Sequence, residues 1–285
     1  MRTKKLTAIL LTIIAGIFLT SCYRSDSGLN AELGSDARKV GFEDLNNKIA
    51  EFEKEFGFTE LSTRASFWQK LGWIAGADAI GAAIGGKGGL GMAIILGAAA
   101  SIAASIAALI VGEDSFAWNS TKATGELQEI IMALGNEGLE HNQILQSFFN
   151  MDNPVFDDMA IEDISEYIIQ NVYEIVRTNY AIDLPSKGEC MELSSNQTML
   201  PYDSLDELAF KCIQSHPESA DEIAVIKHCV QTYASLEDIT DVAAYSKGLS
   251  TIIEEAEIPI ASKKQLKSGA SVAAFSRLYW EDKIN

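Results

Sequence analysis

Residues 71–111 read LGWIAGADAIGAAIGGKGGLGMAIILGAAASIAASIAALIV and contain only two charged residues, Asp78 and Lys87. Small residues recur in this stretch at every fourth position, which places them along one row of a helix. The row consists of Ala77, Gly81, Gly85, Gly89, Ala93, Gly97, Ser101 and Ser105. Side chains this small let a neighbouring backbone approach closely, as in the small-xxx-small packing of membrane helices. We therefore expect the rest of the chain to be organised around this stretch.

The glycine run GGKGG at residues 85–89 predicts a break in the middle of the stretch. Each glycine inside a helix costs about 1 kcal/mol, and clustered glycines mark turns. Four residues also turn a helix through about 400°, so the row of small residues drifts sideways and cannot face one partner from end to end. These features predict a helical hairpin with Lys87 at its tip.

The lengths of the two arms do not decide whether the hairpin crosses a membrane. Residues 90–111 would extend about 33 Å as a helix, enough for a bilayer core of about 30 Å, whereas residues 71–84 would extend only about 21 Å and include Asp78. Three alternatives stay open: the buried centre of a water-soluble bundle, a hairpin that inserts into membranes, and a constitutive transmembrane span. A helix that is apolar on all sides fits a protein core as well as lipid.

The N-terminus has the three parts of an export signal. Arg2, Lys4 and Lys5 precede an apolar run at residues 6–19, and small residues lead to Cys22. The segment LTSC at residues 19–22 resembles the lipobox of bacterial lipoproteins. That resemblance implies that residues 1–21 are removed, that a lipid is attached to Cys22, and that the protein is anchored in the bacterial cell envelope, at the outer membrane if the cell has two membranes.

Charge narrows the range of partners. The formal net charge is −18, and removal of the three cationic residues of the signal leaves about −21. Nucleic-acid backbones require clusters of Lys and Arg, so we expect no nucleic-acid partner. An acidic surface is also repelled by anionic lipid headgroups, which counts against a membrane-attacking role. The expected partners are the lipid bilayer and either a protein partner or a second copy that packs through the glycine row.

The remaining chain predicts an all-α bundle. Apolar residues recur at three- and four-residue spacing in segments such as 161–176 and 239–255, and no strand series is evident. We expect a signal peptide at 1–21, a flexible tether at 22–34, amphipathic helices at 35–70, the hairpin at 71–111 and an acidic helical bundle at 112–285. Ser219 and Glu222 have the spacing of a helix capping box.

Two further resemblances concern the hairpin and its surroundings. The segment AGADAIGA at residues 75–82, followed by the G-x-x-H-N-x-x-L pattern of residues 138–145, is similar to a recurrent type of secreted protein from Bacteroidota-like bacteria that has no assigned function. The glycine row is similar to the GxxxG segments of two-peptide bacteriocins. A bundle that shields an apolar hairpin resembles, in architecture alone, the pore-forming domains of colicins.

The side chains suited to chemistry form no familiar catalytic pattern. There is no G-x-S-x-G elbow, and His141 is expected to link helices through hydrogen bonds rather than to act in catalysis. The glycine run lacks the Ser or Thr that follows the lysine of a phosphate-binding loop. The acidic group around Asp157 and Glu162 lacks the spacing of a calcium loop. We therefore assign no catalytic residue, no metal and no cofactor other than the lipid on Cys22.

Three cysteines stay in the chain once Cys22 carries a lipid. In an exported protein, two of Cys190, Cys212 and Cys229 are expected to form a disulfide, which leaves one buried thiol. A zinc site made by Cys212, His216, His228 and Cys229 is a weaker alternative. Its spacing is unusual, and the adjacent His228 and Cys229 point about 100° apart on a helix.

These observations favour a non-enzymatic, lipid-anchored envelope protein with a membrane-active hairpin, similar to a bacteriocin or a pore former. The alternative is a structural or partner-binding envelope lipoprotein in which the hairpin is only the core of the bundle. A hydrolase with an unfamiliar site is the third possibility.

Overall fold

The computed structural model of the protein describes residues 35–56, 65–85, 90–107, 124–152, 161–180, 184, 186–188 and 204–284. These residues form ten α-helices and no β-strand, so the predicted all-α class is confirmed for this part of the chain. The helices are α1 (Ser35–Phe56), α2 (Ala65–Gly85), α3 (Leu90–Ala107), α4 (Thr124–Leu134), α5 (Glu137–Phe149), α6 (Ile161–Asn179), α7 (Leu205–Ser215), α8 (Ala220–Ser235), α9 (Ile239–Glu255) and α10 (Ile260–Ile284).

The predicted central hairpin is present as α2 and α3. The first arm ends at Gly85 and the second begins at Leu90, so the two helix ends flank the predicted break. The first arm starts at Ala65, several residues before the predicted boundary at 71, because helix α2 continues through the Trp-containing segment. The presumed tip, Lys87, and the predicted end of the second arm at residues 108–111 lie outside the described residues.

The hairpin lies at the centre of the bundle. Helices α7, α8 and α10 pack on α2, and α5 and α6 pack on α3. Residues 75–85 and 94–102 are buried throughout. Among the helices that the structure describes, none combines the length and the apolar character needed to cross a membrane. The apolar arms therefore supply a large part of the hydrophobic core.

Gly97 allows the two arms to approach closely. A Cβ atom built on Gly97 would lie 3.3 Å from the backbone oxygen of Asp78 and 3.7 Å from the Cβ of Ala82. The first distance is shorter than ordinary van der Waals contact, so a larger residue would push the arms apart. Gly97 belongs to the predicted row of small residues, whereas Asp78 and Ala82, which it contacts, do not.

Helix α10 is a second central helix, which the sequence did not single out. It packs against α2, α5, α8 and α9. Its interior face is unusually rich in serine, and each of four serine hydroxyls bonds to a different partner. These bonds run from Ser262 to Glu222, from Ser268 to Glu137, from Ser271 to the carbonyl of Gly135, and from Ser276 to Asp78. The helix is therefore held in the core by hydrogen bonds as well as by apolar contacts.

A glycine lies at the turn between α4 and α5. Helix α4 ends at Leu134, and Gly135 has a φ of 102°, a conformation that glycine adopts without steric cost. Gly138 then lies against α10, where a Cβ atom would collide with the backbone of Ser271. The backbone N–H of Gly138 donates to the hydroxyl of Ser271 at 3.0 Å.

The predicted capping box at the start of α8 is wrong. Ser219 lies at the N-cap, but its side chain makes no capping hydrogen bond. The carboxylate of Glu222 instead accepts hydrogen bonds from Arg38 on α1 and from Ser262 on α10. Glu222 is buried, and a buried charge without partners is costly. Its carboxylate therefore bonds to Arg38 and Ser262 rather than to the helix end.

Candidate functional site

Asp78 is the centre of the most unusual chemistry in the described part of the chain. It lies on α2 in the middle of the hairpin, between alanines, and it is 0% exposed. Carboxyl groups are almost never fully buried unless they are paired. Its surroundings therefore define the candidate site.

Two serine hydroxyls donate to the same oxygen of Asp78. The Oγ of Ser101, on α3, lies 3.0 Å from Oδ2, and the Oγ of Ser276, on α10, lies 2.6 Å from it. Burial raises the pKa of Asp78 to about 8, although hydrogen bonding by Ser276, Ser101 and the nearby indole of Trp280 opposes the shift. At neutral pH the protonated, uncharged acid is therefore the favoured form.

His141 approaches the same carboxyl from α5. Its Nε2 lies 3.8 Å from Oδ2 of Asp78, and its Nδ1 lies 3.1 Å from Oδ1 of Asn142. Burial lowers the pKa of His141 to about 4, and contacts with Asn142 and the backbone of Gly97 oppose this only in part. Both members of the pair are therefore neutral in the folded protein at pH 7.

We call Asp78, Ser101, His141, Ser276 and Trp280 the hairpin polar cluster. It joins α2, α3, α5 and α10 through neutral hydrogen-bonding groups at the centre of the fold. The arrangement is not a Ser-His-Asp triad, because both hydroxyls bond to the acid and neither bonds to the imidazole. Within this cluster, therefore, neither serine is activated by the imidazole as a nucleophile.

A second polar cluster connects α1 to α8 and α9. The carboxylate of Glu53 accepts hydrogen bonds from Thr232 at 2.7 Å and from Tyr245 at 2.8 Å, and it lies 2.7 Å from Nε2 of His228. Burial raises the pKa of Glu53, but the hydrogen bonds from His228, Thr232 and Tyr245 outweigh it and leave the pKa lowered. The bond to Glu53 raises the pKa of His228. This cluster fixes helix α1 to the bundle.

The row of small residues is only partly described. Ala77, Gly81 and Gly85 on α2 and Gly97 and Ser101 on α3 are buried within the bundle. Ala93 and Ser105 lie on α3, but their side chains are outside the described residues, as is all of Gly89. The lipidation residue Cys22 and the hairpin tip Lys87 also lie outside them.

The cysteines and the weaker zinc alternative are also partly described. Cys212 and Cys229 are separate, buried thiols, and Cys190 lies outside the described residues, so no disulfide joins residues that the structure describes. Burial raises the pKa of Cys229 to about 12 and that of Cys212 further. His228 is bonded to Glu53 rather than to a cysteine. In the described part of the chain, no three His, Cys, Asp or Glu side chains converge closely enough to hold a metal ion.

Comparison with known proteins adds no relative. No protein-family model, no curated protein and no solved structure matches the chain. The resemblances to lipoproteins, bacteriocins and colicins therefore stay hypotheses, and the function has to be argued from the cluster and the hairpin themselves.

Most of the hairpin polar cluster was not evident from the sequence. Asp78 stands out in the sequence only as a charge in an apolar stretch. His141 was expected to link helices, but the hydrogen bond to α10 is made by its neighbour Asn142, whose amide donates to the carbonyl of Phe275 at 2.9 Å. A lone carboxyl in an apolar helix was the available signal, since such a group needs buried partners. No local signal marked Ser276 or Trp280, which approach only through the fold.

Proposed function

We propose that this protein is a non-enzymatic, lipid-anchored protein of the bacterial cell envelope that stores a membrane-active hairpin inside an acidic helical bundle. The observation that carries the proposal is the position of α2 and α3. The most apolar of the described helices are enclosed by other helices, which keeps them out of water. The partner implied by such a hairpin is a lipid bilayer.

The chemistry of Asp78 supports insertion of the hairpin. A charged carboxylate at the centre of a bilayer is costly. The pKa of Asp78 is about 8 in the bundle, and its bond to Ser101 joins the two arms of the hairpin itself. Within the bundle, the one described carboxyl of the hairpin is therefore already neutral and hydrogen-bonded to the other arm, as insertion would require.

A second candidate function is a structural or partner-binding envelope protein whose hairpin is only the core. Two bonds from α10 favour it, because both would have to break before the hairpin could leave. Ser276 donates to Asp78 at 2.6 Å, and the amide of Gln265 donates to the carbonyl of Ala83 at 3.1 Å. In this alternative the small-residue row serves close packing within the bundle, or between two copies.

Membrane insertion is tested by fluorescent labels at two positions. In a mature chain that carries Cys22→Ser and Cys190→Ser, one variant receives a label at Lys87→Cys and the other at Met132→Cys, which is 76% exposed on α4. With vesicles that contain a lipid-borne quencher, we expect quenching at position 87 and little at position 132. Dye release from neutral vesicles should accompany it, and more weakly from anionic vesicles because the protein is acidic.

The two labels separate the candidate functions. Quenching at neither position, together with no dye release between pH 4.5 and 8, would exclude the membrane-active hairpin and leave the core alternative. Equal quenching at both positions would indicate that the whole protein unfolds onto the lipid. The Lys87→Ala variant then reports whether the chemistry of the tip changes insertion.

Anchoring is tested separately by Cys22→Ser. Because lipid is attached through the thiol of the cysteine, we expect the variant to lose fatty-acid label completely and to leave the membrane fraction or keep its signal peptide. The measurement is metabolic labelling with a fatty acid, followed by membrane fractionation. A variant that still incorporates label would show that Cys22 is not the anchor.

A further inference from the structure

Helix α1 is held against the bundle near both of its ends by charged side chains. Near its N-terminal end, the guanidinium group of Arg38 bonds to the carboxylate of Glu222 on α8. Near its C-terminal end, the carboxylate of Glu53 lies 2.7 Å from Nε2 of His228, also on α8. Arginine keeps its proton, whereas an imidazole changes its charge close to neutral pH. Of these two attachments, the one at the C-terminal end therefore has the cation that titrates near neutral pH.

The geometry at Glu53 favours a charged imidazole. The side chain of Glu53 is only 12% exposed, so its carboxylate is poorly hydrated, whereas the side chain of His228 is 46% exposed. The second carboxylate oxygen, Oε1, accepts from the hydroxyls of Thr232 and Tyr245, which stabilise the charge without neutralising it. A poorly hydrated carboxylate gains most from a cationic partner. His228 faces it in that role, and a half-exposed ring can exchange its proton with the solvent.

The titratable groups beside the pair come from α7, α8 and α9. Lys227, next to His228 on α8, bonds to Asp206 of α7 at 2.7 Å, and its positive charge opposes protonation of the imidazole. Burial raises the pKa of Cys229 to about 12 and that of Tyr245 well above its usual value, so both stay neutral. The bond to the carboxylate outweighs burial and the lysine, and it raises the pKa of His228 above 6.5. The charge of the pair at near-neutral pH is therefore set by His228.

The C-terminal half of α1 also packs on α9 through Phe52. The ring of Phe52 stacks on that of Tyr245 with the centroids 5.7 Å apart, and it fills the space beside Gly248, where a Cβ atom would collide with it. Tyr245 is also the residue whose hydroxyl donates to Glu53. The polar and the aromatic contacts of this half of α1 therefore share one partner, and weakening the first should loosen the second.

We infer that the pair of Glu53 and His228 is a pH-sensitive switch that holds the C-terminal half of α1 against α8 and α9. When the imidazole is protonated, an ion pair holds this half of the helix. When the pH rises and the imidazole loses its proton, one hydrogen bond can remain, but the attraction between opposite charges is lost and this half of α1 opens more often. Arg38 keeps its charge and holds the N-terminal half in place. The inference does not depend on the proposed function, since it concerns only how α1 is attached.

Amide hydrogen exchange of the purified protein, corrected for the intrinsic pH dependence of exchange, tests the inference. The stability that comes from the raised pKa of His228 is complete below pH 6.5 and is lost as the pH rises through the folded pKa. Between pH 6 and pH 9 we therefore expect the protection of residues 49–53 to fall by about threefold to tenfold, because a half-exposed ion pair contributes more than a surface pair and less than a buried one. Residues 42–45, near Arg38, are the internal control and should show no such fall.

The matched variant is His228→Gln, because its amide can still donate to Glu53 but carries no charge at any pH. We expect residues 49–53 of this variant to be less protected than in the unmodified protein at pH 6 and equally protected at pH 9. Changes in the stability of the whole bundle with pH affect both proteins alike, so the comparison isolates the imidazole. Nitrogen NMR of the His228 ring supplies a second readout, for which we expect a titration midpoint above 6.5 that Glu53→Gln lowers.

A fall of the same size in His228→Gln and in the unmodified protein would overturn the inference. Equal falls in residues 42–45 and 49–53 of the unmodified protein would also overturn it, because the switch would then not be confined to one half of α1. A His228 ring that titrates at or below 6.5 would show that the ion pair does not form in solution. The ring titration of the unmodified protein requires no variant, so it decides the question even if a variant fails to fold.

Discussion

The variant Asp78→Asn is expected to gain stability relative to the unmodified protein as the pH rises from 4 to 8. The pKa of Asp78 is about 8 when folded and 3.8 when exposed, so the stability that it contributes is complete below pH 3.8 and is lost as the pH rises through 8. A shift of about four units corresponds to about 6 kcal/mol. Asparagine retains an oxygen for the serine hydroxyls but cannot ionise. Denaturant unfolding across this pH range measures the difference.

The contribution of His141 to stability depends on pH in the opposite direction. Its pKa is about 4 when folded and 6.5 when exposed, so its contribution is complete above pH 6.5 and is lost as the pH falls through 4. Between pH 4 and 6.5 the two contributions cancel, because the pair holds one proton in both the folded and the unfolded chain. In the unmodified protein, Asp78 and His141 together should therefore not change the free energy of unfolding between pH 4 and 6.5. In Asp78→Asn, only the contribution of His141 remains, so the free energy of unfolding should fall by about 3 kcal/mol as the pH falls from 6.5 to 4.

The mirror variant and a surface variant complete this test. In His141→Gln, only the contribution of Asp78 remains, so this variant should lose stability as the pH rises from 4 to 8. Asp163→Asn removes an exposed carboxylate on α6. It measures how the loss of one surface charge alone changes the free energy of unfolding. The free energies of unfolding of Asp78→Asn and the unmodified protein are compared at pH 4.5 and pH 8. If they differ by the same amount at both pH values, Asp78 is not desolvated in the fold.

The variant Arg38→Met is expected to destabilise the bundle by about 3–5 kcal/mol, because it leaves the buried carboxylate of Glu222 without its cation. The guanidinium NH2 nitrogen of Arg38 lies 2.8 Å and 3.0 Å from the two carboxylate oxygens, and the side chain of Glu222 is only 2% exposed. Denaturant unfolding at pH 7 gives the free energy. The double variant Arg38→Met with Glu222→Gln should recover part of the loss, since the charge is then removed with its partner.

The matched control for this pair is on the same helix. Lys48 bonds to Asp44 one turn away at 2.9 Å, and both side chains are largely exposed. Lys48→Met should therefore destabilise the protein far less than Arg38→Met, because exposed ion pairs contribute little to stability. If Arg38→Met costs no more than Lys48→Met, the link between Arg38 and Glu222 is not a buried pair in solution.

The sequence by itself determined the features that depend on residues close together in the chain. Helix α2 ended at Gly85 and α3 began at Leu90, on either side of the glycine run, Gly135 followed the end of α4, and Pro259 directly preceded α10. These features were predictable because the backbone freedom of glycine and the missing N–H of proline act within a few residues. The all-α class followed from the same local periodicity.

Only the tertiary structure decided the partners of the buried polar groups. Ser276 reaches Asp78 across 198 positions of sequence, and Arg38 reaches Glu222 across 184. The spacing of Ser219 and Glu222 suggested a helix cap. In the structure, the buried carboxylate of Glu222 is instead stabilised by a cation from another helix. Hydrogen bonds and ion pairs of this kind leave no periodic trace in the chain, because packing brings their members together from distant segments. The neutral state of Asp78 and His141 was decided in the same way, since it depends on how completely the surrounding helices exclude water.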